Sequence, residues 1–314
     1  MRGFTTVRDA GGADYGLARA VEEGWVKGPR ILYCGKALSQ TGGHGDMRGP
    51  DDNGLNEYGP CNPGVGRICD GVTEVRRAAR DEIRKGASQI KLMLSGGAAS
   101  PADPIHFTQY SIDEIRAAVE EAEAAGLYVM AHAYTARAVN RALRGGVRSI
   151  EHGTLIDQES IGLFKHHDAF LVPTIAVGRL IRTVGLNLGF GQEHFRRMEE
   201  LEKKGQQMLA EADRAGLRIA FGTDLNGDLH RYQSMEFSIR GEIQAPADVI
   251  RSATCVAAEL FQMRGKIGVV AEGARADLLI VDGNPLKDLK VLQDEGRHLK
   301  MIMKGGTLFK NELS

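Results

Sequence analysis

Seven short apolar runs of β type alternate with segments of helical periodicity from the first residues to about residue 260, and this alternation restricts the fold more than any other feature. The runs are "TTVRDAG", "RILYCG", "QIKLML", "LYVMAHAY", "SIEHG", "AFLVPTI" and "RIAFGTD". Between them, apolar residues recur at helical spacing. In "SIDEIRAAVEEAEAAG" the stripe is Ile112, Ile115, Ala118, Val119 and Ala122, with Ser111 and Glu114 spaced as a capping box and Gly126 as a stop. "TARAVNRALRGG" repeats the logic, with Thr135 as cap and Val139, Ala142 and Leu143 inward. "DGVTEVRRAARDEIRKG" closes on Gly86, and "PADVIRSATCVAAELF" opens on Pro246.

Nearly continuous apolar strands alternating with helices predict a parallel sheet covered by helices, an α/β fold. Seven strands is one short of a (β/α)8 barrel, and an open doubly wound sheet is the structural competitor. Neither a G-x-G-x-x-G nor a P-loop follows the first strand, which weakens the nucleotide-binding form of that competitor. After residue 263 the texture changes to short β runs, Asp277 to Val281 and Leu299 to Met303, separated by Gly, Asn and Pro turns. The expected organisation is therefore a β/α domain over 1–263 and a small β segment over 264–314.

Charge and composition narrow the partners. A formal net charge of -1 gives no electrostatic reason to expect nucleic acid or an acidic membrane surface. No apolar run is long enough to span a bilayer. Cys34, Cys61, Cys69 and Cys255 have neither C-x-x-C spacing nor the density of a disulfide scaffold, which points to reduced thiols and a cytoplasmic compartment.

Four polar residues fall at the ends of strand-like runs, where a β/α barrel assembles its chemistry. They are Lys91 in "QIKLML" on the third β/α unit's strand, His132 in "VMAHAY", His152 in "SIEHGT" and Asp224 in "FGTD". Each alone has a plain structural reading: a hydrogen-bonded core histidine, a turn aspartate, a lysine paired with a carboxylate such as Glu151. Their coincidence at one end of four strands favours a metal site. Lys91 is the sharpest of the four, because an ammonium cannot bind a cation. A neutral amine can take up carbon dioxide to give a carbamate able to bridge two metal ions.

The order Lys, His, His, Asp on successive strands resembles the amidohydrolase superfamily. "GFTTVRDAGG", "TGGHGD", "IKLMLSGG", "SPADP", "TQYS", "LYVMAHAY", "SIEHGT", "FGTD" and "GVVAEGARADLLIVDGNPL" resemble its imidazolonepropionase-like branch, which includes metal-dependent Xaa-Pro dipeptidases and carboxypeptidases. The resemblance implies two divalent metal ions, of which zinc is the expected identity, and a TIM-like barrel. It makes Lys91 the carboxylated bridge, His132 and His152 the ligands of the second metal, and Asp224 a ligand of the first that also carries protons. His44 and Tyr134 would bind the carbonyl or α-carboxylate of a small-molecule or dipeptide substrate, Tyr134 facing the developing oxyanion. His106, His230 and Arg231 read as solvated loop residues, and His166, His167, His194 and His298 as helix or surface residues.

The chain departs from that pattern at one place. The family's first barrel strand carries a His-x-His pair, and none occurs here. "TTVRDAGG" matches the family's second strand, so the expectation is a barrel missing its first strand and helix, with the C-terminal segment a remnant of a small β-sandwich. Three functional readings follow. The first is a dipeptidase or carboxypeptidase, impaired in this chain. The second is a hydrolase of cyclic amides or a deacetylase of N-acyl amino acids, and the third an inactive barrel that binds or scaffolds. Homo-oligomer formation stays open.

Overall fold

A strand buried on both faces needs helices above and below it, and this requirement governs the first of two units, Arg8–Val26 with Arg30–Leu171. The computed structural model describes residues 1–49, 64–97, 103–184 and 192–313. From Arg8, the last residue of β1 (Thr6–Arg8), the first unit runs through α1 (Tyr15–Glu22), β2 (Arg30–Leu32), β3 (Ala37–Ser39), β4 (Gly66–Ile68), α2 (Gly71–Arg84) and β5 (Ile90–Met93). It continues with α3 (Ile112–Ala124), β6 (Val129–Thr135), α4 (Ala136–Arg144), β7 (Ser149–Leu155), α5 (Gln158–His166) and β8 (Phe170–Val172). The sheet order is β4-β3-β5-β6-β7-β8, and β3 with β4, β3 with β5, β5 with β6 and β6 with β7 pair in parallel. The architecture is α/β, as the alternation predicts.

Helix starts form where the sequence places caps. Ser111 and Glu114 make the reciprocal capping box of α3, and the Thr135 hydroxyl accepts from Ala138 N to open α4. The apolar stripes face the sheet: Ile115, Ala118, Val119 and Ala122 on α3, and Val139, Ala142 and Leu143 on α4, are buried. Two strands differ from expectation. β3 and β4 are only three residues each, one continuing almost directly from the "RILYCG" run and the other starting on a glycine, so neither carries a periodic signal. Lys91 consequently lies on the fifth strand of the chain, which is still the strand of its third β/α unit, between α2 and α3. Cys34, Cys69 and Cys255 are free thiols, and Cys61 lies outside the described residues. No helix among the described residues is long and apolar enough to cross a membrane.

The interior of this unit holds an ion pair between Arg8 and Glu151. Arg8 Nη2 donates to both Glu151 carboxylate oxygens at 2.8 and 2.9 Å, and Nη1 donates to Ser149 Oγ at 3.0 Å. Burial works hardest against the Arg8 charge, but Glu151 and Tyr128 together outweigh it and the guanidinium pKa is raised. Glu151 is thereby committed to arginine.

The second unit comprises Met1–Val7, Lys27–Pro29 and Val172–Ser314. It contains α6 (Ile175–Val184), α7 (Gln192–Arg214), β9 (Arg218–Ile219), α8 (Met235–Gly241), α9 (Pro246–Arg251) and α10 (Ala257–Leu260). The helix read as continuous from Pro246 is interrupted by a π turn over Ser252–Val256, where Ser252 O accepts Phe221 N at 3.2 Å. Phe4, Phe221 and Phe237 pack with centroids 4.3 to 6.2 Å apart. The chain then forms an antiparallel sheet of β10 (Leu278–Val281), β11 (Leu299–Lys304) and β12 (Thr307–Asn311), with β11 in the middle. β10 is an edge strand that leaves Leu279 and Ile280 39% and 41% exposed.

Two charged groups of α8 are fully buried. Glu236 Oε2 accepts Ala176 N at 2.7 Å in the first turn of α6, while Arg240 donates from Nε to Gln244 and from Nη1 to Ala220 O. Glu236 Oε1 and Arg240 Nη2 have no hydrogen-bond partner among the described residues. Burial pushes the Glu236 carboxyl up to about 7 even though the Arg240 charge opposes it, and pushes Arg240 down to about 10.

These observations yield two expected outcomes. Because the folded state favours protonated Glu236, stability falls as pH rises from the ordinary value of 4.5 towards about 7, by about 3 kcal/mol. Urea titrations of Glu236→Gln over that range should lose this slope and show higher stability than wild type at pH 8. Separately, Arg8→Met leaves Glu151 buried without its cation and should cost about 3–5 kcal/mol, whereas Arg8→Met with Glu151→Leu should recover most of the loss.

Candidate active site

Parallel pairing without a slip carries side chains of neighbouring strands to the same face. Met93 stands opposite His132, His132 opposite Glu151, and Ala133 opposite His152. Lys91 lies two residues before Met93 and so shares its face. His152 would face away from Glu151 in a regular strand. Instead its φ is +71°, followed by Gly153 at +59°, and the β6–β7 register shifts between Ala133 and Thr135. A left-handed residue other than glycine costs about 1–3 kcal/mol and clusters at functional sites. The irregularity brings the His152 imidazole beside His132, their centroids 4.8 Å apart at 75°.

Around this pair the unit gathers the other residues singled out from the sequence. Tyr134 stacks on His152 at 4.8 Å and 8° and meets His132 edge-on at 5.1 Å. His44, from the "TGGHGD" loop after β3, stacks on His132 at 4.1 Å and 15°. Lys91, His132, His152 and Tyr134 are all buried. The loop geometry depends on a missing side chain: a Cβ on Gly97 would lie 1.8 Å from His44 Cε1. Asp224 belongs to the second unit, where it is exposed, beyond the end of β9, with φ +55°. His106, His166, His230 and Arg231 are exposed, in agreement with their reading as solvated residues.

Burial sets the protonation of the cluster. It drives the His132 pKa well below the ordinary imidazole value, with His44, His152 and Lys91 adding to the shift. His152 is lowered in the same way, by burial and then by Lys91 and His44. Both rings are therefore neutral near pH 7 and carry lone pairs. His132 Nε2 lies 3.2 Å from Gly96 O, and since a carbonyl only accepts, this nitrogen bears the proton and Nδ1 the lone pair. An imidazole whose second nitrogen is anchored to a carbonyl is the usual state of a metal-binding histidine.

The donor set fits a divalent metal in part. Among the described residues no group of three or more His, Cys, Asp or Glu is placed to hold one. Two neutral imidazoles need a further ligand, and Lys91 supplies one only as a carboxylated amine. Sequence reasoning passed over Asp103 and Gln109, although "SPADP" and "TQYS" were among the matched motifs. Gln109 Oε1 accepts His44 N at 3.0 Å, its Nε2 donates to Asp103 Oδ2 at 3.1 Å, and Asp103 Oδ2 lies 3.3 Å from His44 Nδ1. No periodicity marks such residues, because their partners sit on a different loop.

Comparison with known proteins places this geometry in context. The amidohydrolase family model matches residues 1–308. An ochratoxinase from Aspergillus niger is 34% identical over 319 residues, covering 99% of this chain and 66% of its own length. A prolidase solved in complex with N-methylphosphonate-L-proline superposes with a TM-score of 0.94 at 51% identity, over 99% of this chain and 76% of that one. A Xaa-Pro dipeptidase with methionine bound in its active site superposes with a TM-score of 0.87 at 33% identity, over 99% of this chain and 76% of its own.

The His44–His132 stack makes a direct test of the site geometry. Gly97→Ala should expel the His44 ring, so the ring-proton NMR signals of His44 and His132 should both move while the histidines outside the cluster stay put. Unmoved signals in a folded variant would refute the packing described.

Proposed function

Since this chain belongs to the amidohydrolase family, we propose that it is a metal-dependent hydrolase of amide bonds, acting as a dipeptidase or carboxypeptidase of the Xaa-Pro type on a TIM-like β/α barrel. The observation that carries this reading is the buried cluster of Lys91, His132, His152 and Tyr134. The prolidase and the Xaa-Pro dipeptidase among its structural relatives support the substrate class. As a scaffold, the protein would have no use for a buried lysine amid imidazoles, which burial penalises.

In this reading His132, through Nδ1, and His152 hold a divalent metal, zinc by the softness of the nitrogen donors, together with Lys91 in its carboxylated form. Such a metal, when bound, supplies a polarised carbonyl and a water of pKa about 7. The neutral state of both imidazoles leaves their lone pairs ready to bind at neutral pH. Tyr134 donates its phenol O–H to the oxygen that gains charge, its ring oriented by the stack on His152. His44 binds the carbonyl or α-carboxylate of the substrate. Asp224 enters on its sequence position as the group that passes a proton to the leaving amine.

Metal content of chain expressed with zinc and bicarbonate tests this directly. Wild type should carry bound metal that Lys91→Ala loses, and Lys91→Ala should lower kcat/KM on Xaa-Pro dipeptides by more than about a hundredfold. Metal-free, well-folded wild-type protein would sink the role of Lys91. Turnover confined to cyclic amides or N-acetyl amino acids would replace the dipeptidase reading with its rival.

A further inference from the structure

We propose that Ser95 is a positioning residue for the Tyr134 phenol, acting through the main-chain N–H of Tyr134; this rests on the reading that Tyr134 donates to the oxygen that gains charge. What holds β6 in place changes at this residue. The β6–β7 register steps over Tyr134, from Ala133 opposite His152 to Thr135 opposite Leu155. The β5–β6 register ends earlier, with Met93 opposite His132, and Leu94 N then donates to His132 O at 2.9 Å. A continued parallel ladder would next aim Tyr134 N at Leu94 O. That carbonyl instead accepts Gln109 N at 2.9 Å, from the segment leading into α3. The Ser95 hydroxyl takes its place: Oγ accepts Tyr134 N at 3.0 Å.

One orientation of the hydroxyl serves this contact. Ser95 is fully buried, and its single hydroxyl proton goes to Gly96 O at 2.8 Å, so a lone pair faces the Tyr134 amide. Gly96 is itself anchored. Its N–H donates to Phe107 O at 3.0 Å, its carbonyl also accepts His132 Nε2 at 3.2 Å, and a Cβ on it would collide with Pro104 O. A fixed carbonyl thus aims the hydroxyl, and the hydroxyl sets the main chain from which the phenol projects, its ring stacked on His152 and edge-on to His132. Ser95→Ala keeps the β5–β6 pairs through Met93 and removes this one support. A donor to developing charge works only where that charge forms, so a small displacement of the ring is felt in the transition state.

Ring position is directly observable. In protein carrying 13C in its tyrosine rings, assigned with Tyr134→Phe, the Tyr134 signal should move on Ser95→Ala while tyrosines remote from the site stay put, because the stack on His152 sets its shift. On a Xaa-Pro dipeptide, with protein expressed in zinc and bicarbonate, Ser95→Ala should lower kcat about tenfold and leave KM within a factor of about two. In the Tyr134→Phe background, which lacks the phenol O–H, the same change should cost less than about twofold, whereas a merely structural role would slow both backgrounds alike. Equal losses in the two backgrounds, or an unmoved Tyr134 signal in folded Ser95→Ala, overturn the proposal. Should Ser95→Ala fail to fold, Ser95→Cys decides in its place, because the thiol fills the space but accepts weakly; it should move the Tyr134 signal, and an unmoved signal again overturns the role of Ser95. Wild-type protein that cleaves no dipeptide would defeat the functional reading alone, since the ring signal still decides whether Ser95 positions Tyr134.

Discussion

In the parallel pairing of β5, β6 and β7, each side chain is committed to a face by its partner on the next strand, and the first unit is built on that commitment. Met93 opposite His132 and His132 opposite Glu151 leave no register in which His132 leaves the interior without taking the apolar face of β6 with it. The strain at His152 is the exception that completes the arrangement. A regular β7 would turn that imidazole away, and the left-handed residue at φ +71° turns it back. The pairing of β6 and β7, five residue pairs along two seven-residue strands, is what holds so costly a conformation in place.

Electrostatics inside the unit follow a division of labour. Arg8 takes both oxygens of Glu151, so the one acidic group adjacent to His152 in sequence is engaged below the imidazoles rather than among them. The imidazoles respond to burial by staying neutral, which avoids placing desolvated positive charge in the cluster. The second unit handles the same problem differently. Glu236 and Arg240 are both buried without a direct ion pair between them, and each is pushed towards its neutral form.

What could be read from the sequence was whatever has a local cause. The capping box of Ser111 and Glu114, the Thr135 cap and the inward stripes of α3 and α4 each depend on spacing within one turn or two, and they formed as expected. The grouping of Lys91, His132 and His152 was legible because strand ends converge in a β/α fold, His44 and Tyr134 joined it through their motifs, and Asp224, read from the same strand-end logic, lies in the other unit. β3 and β4 were not legible, since three residues hold no period. The π turn at Ser252–Val256 answers to a backbone partner beyond the end of β9, Phe221, which the helix sequence cannot reveal. Asp103 and Gln109 escaped for the same reason: their meaning lies in His44, on another loop.

The small sheet at the end of the chain bears on how the protein behaves in quantity. β10 reads Leu-Leu-Ile-Val along an edge, with Leu279 and Ile280 substantially open and a run of main-chain groups that a foreign strand could adopt. Asp277 and Asp282 bracket this run, and charged residues in that position act as gatekeepers against strand-to-strand self-association. Yield on expression and clarity on concentration thus hang on two aspartates remote from any chemistry, whose loss an activity assay at high dilution would never register.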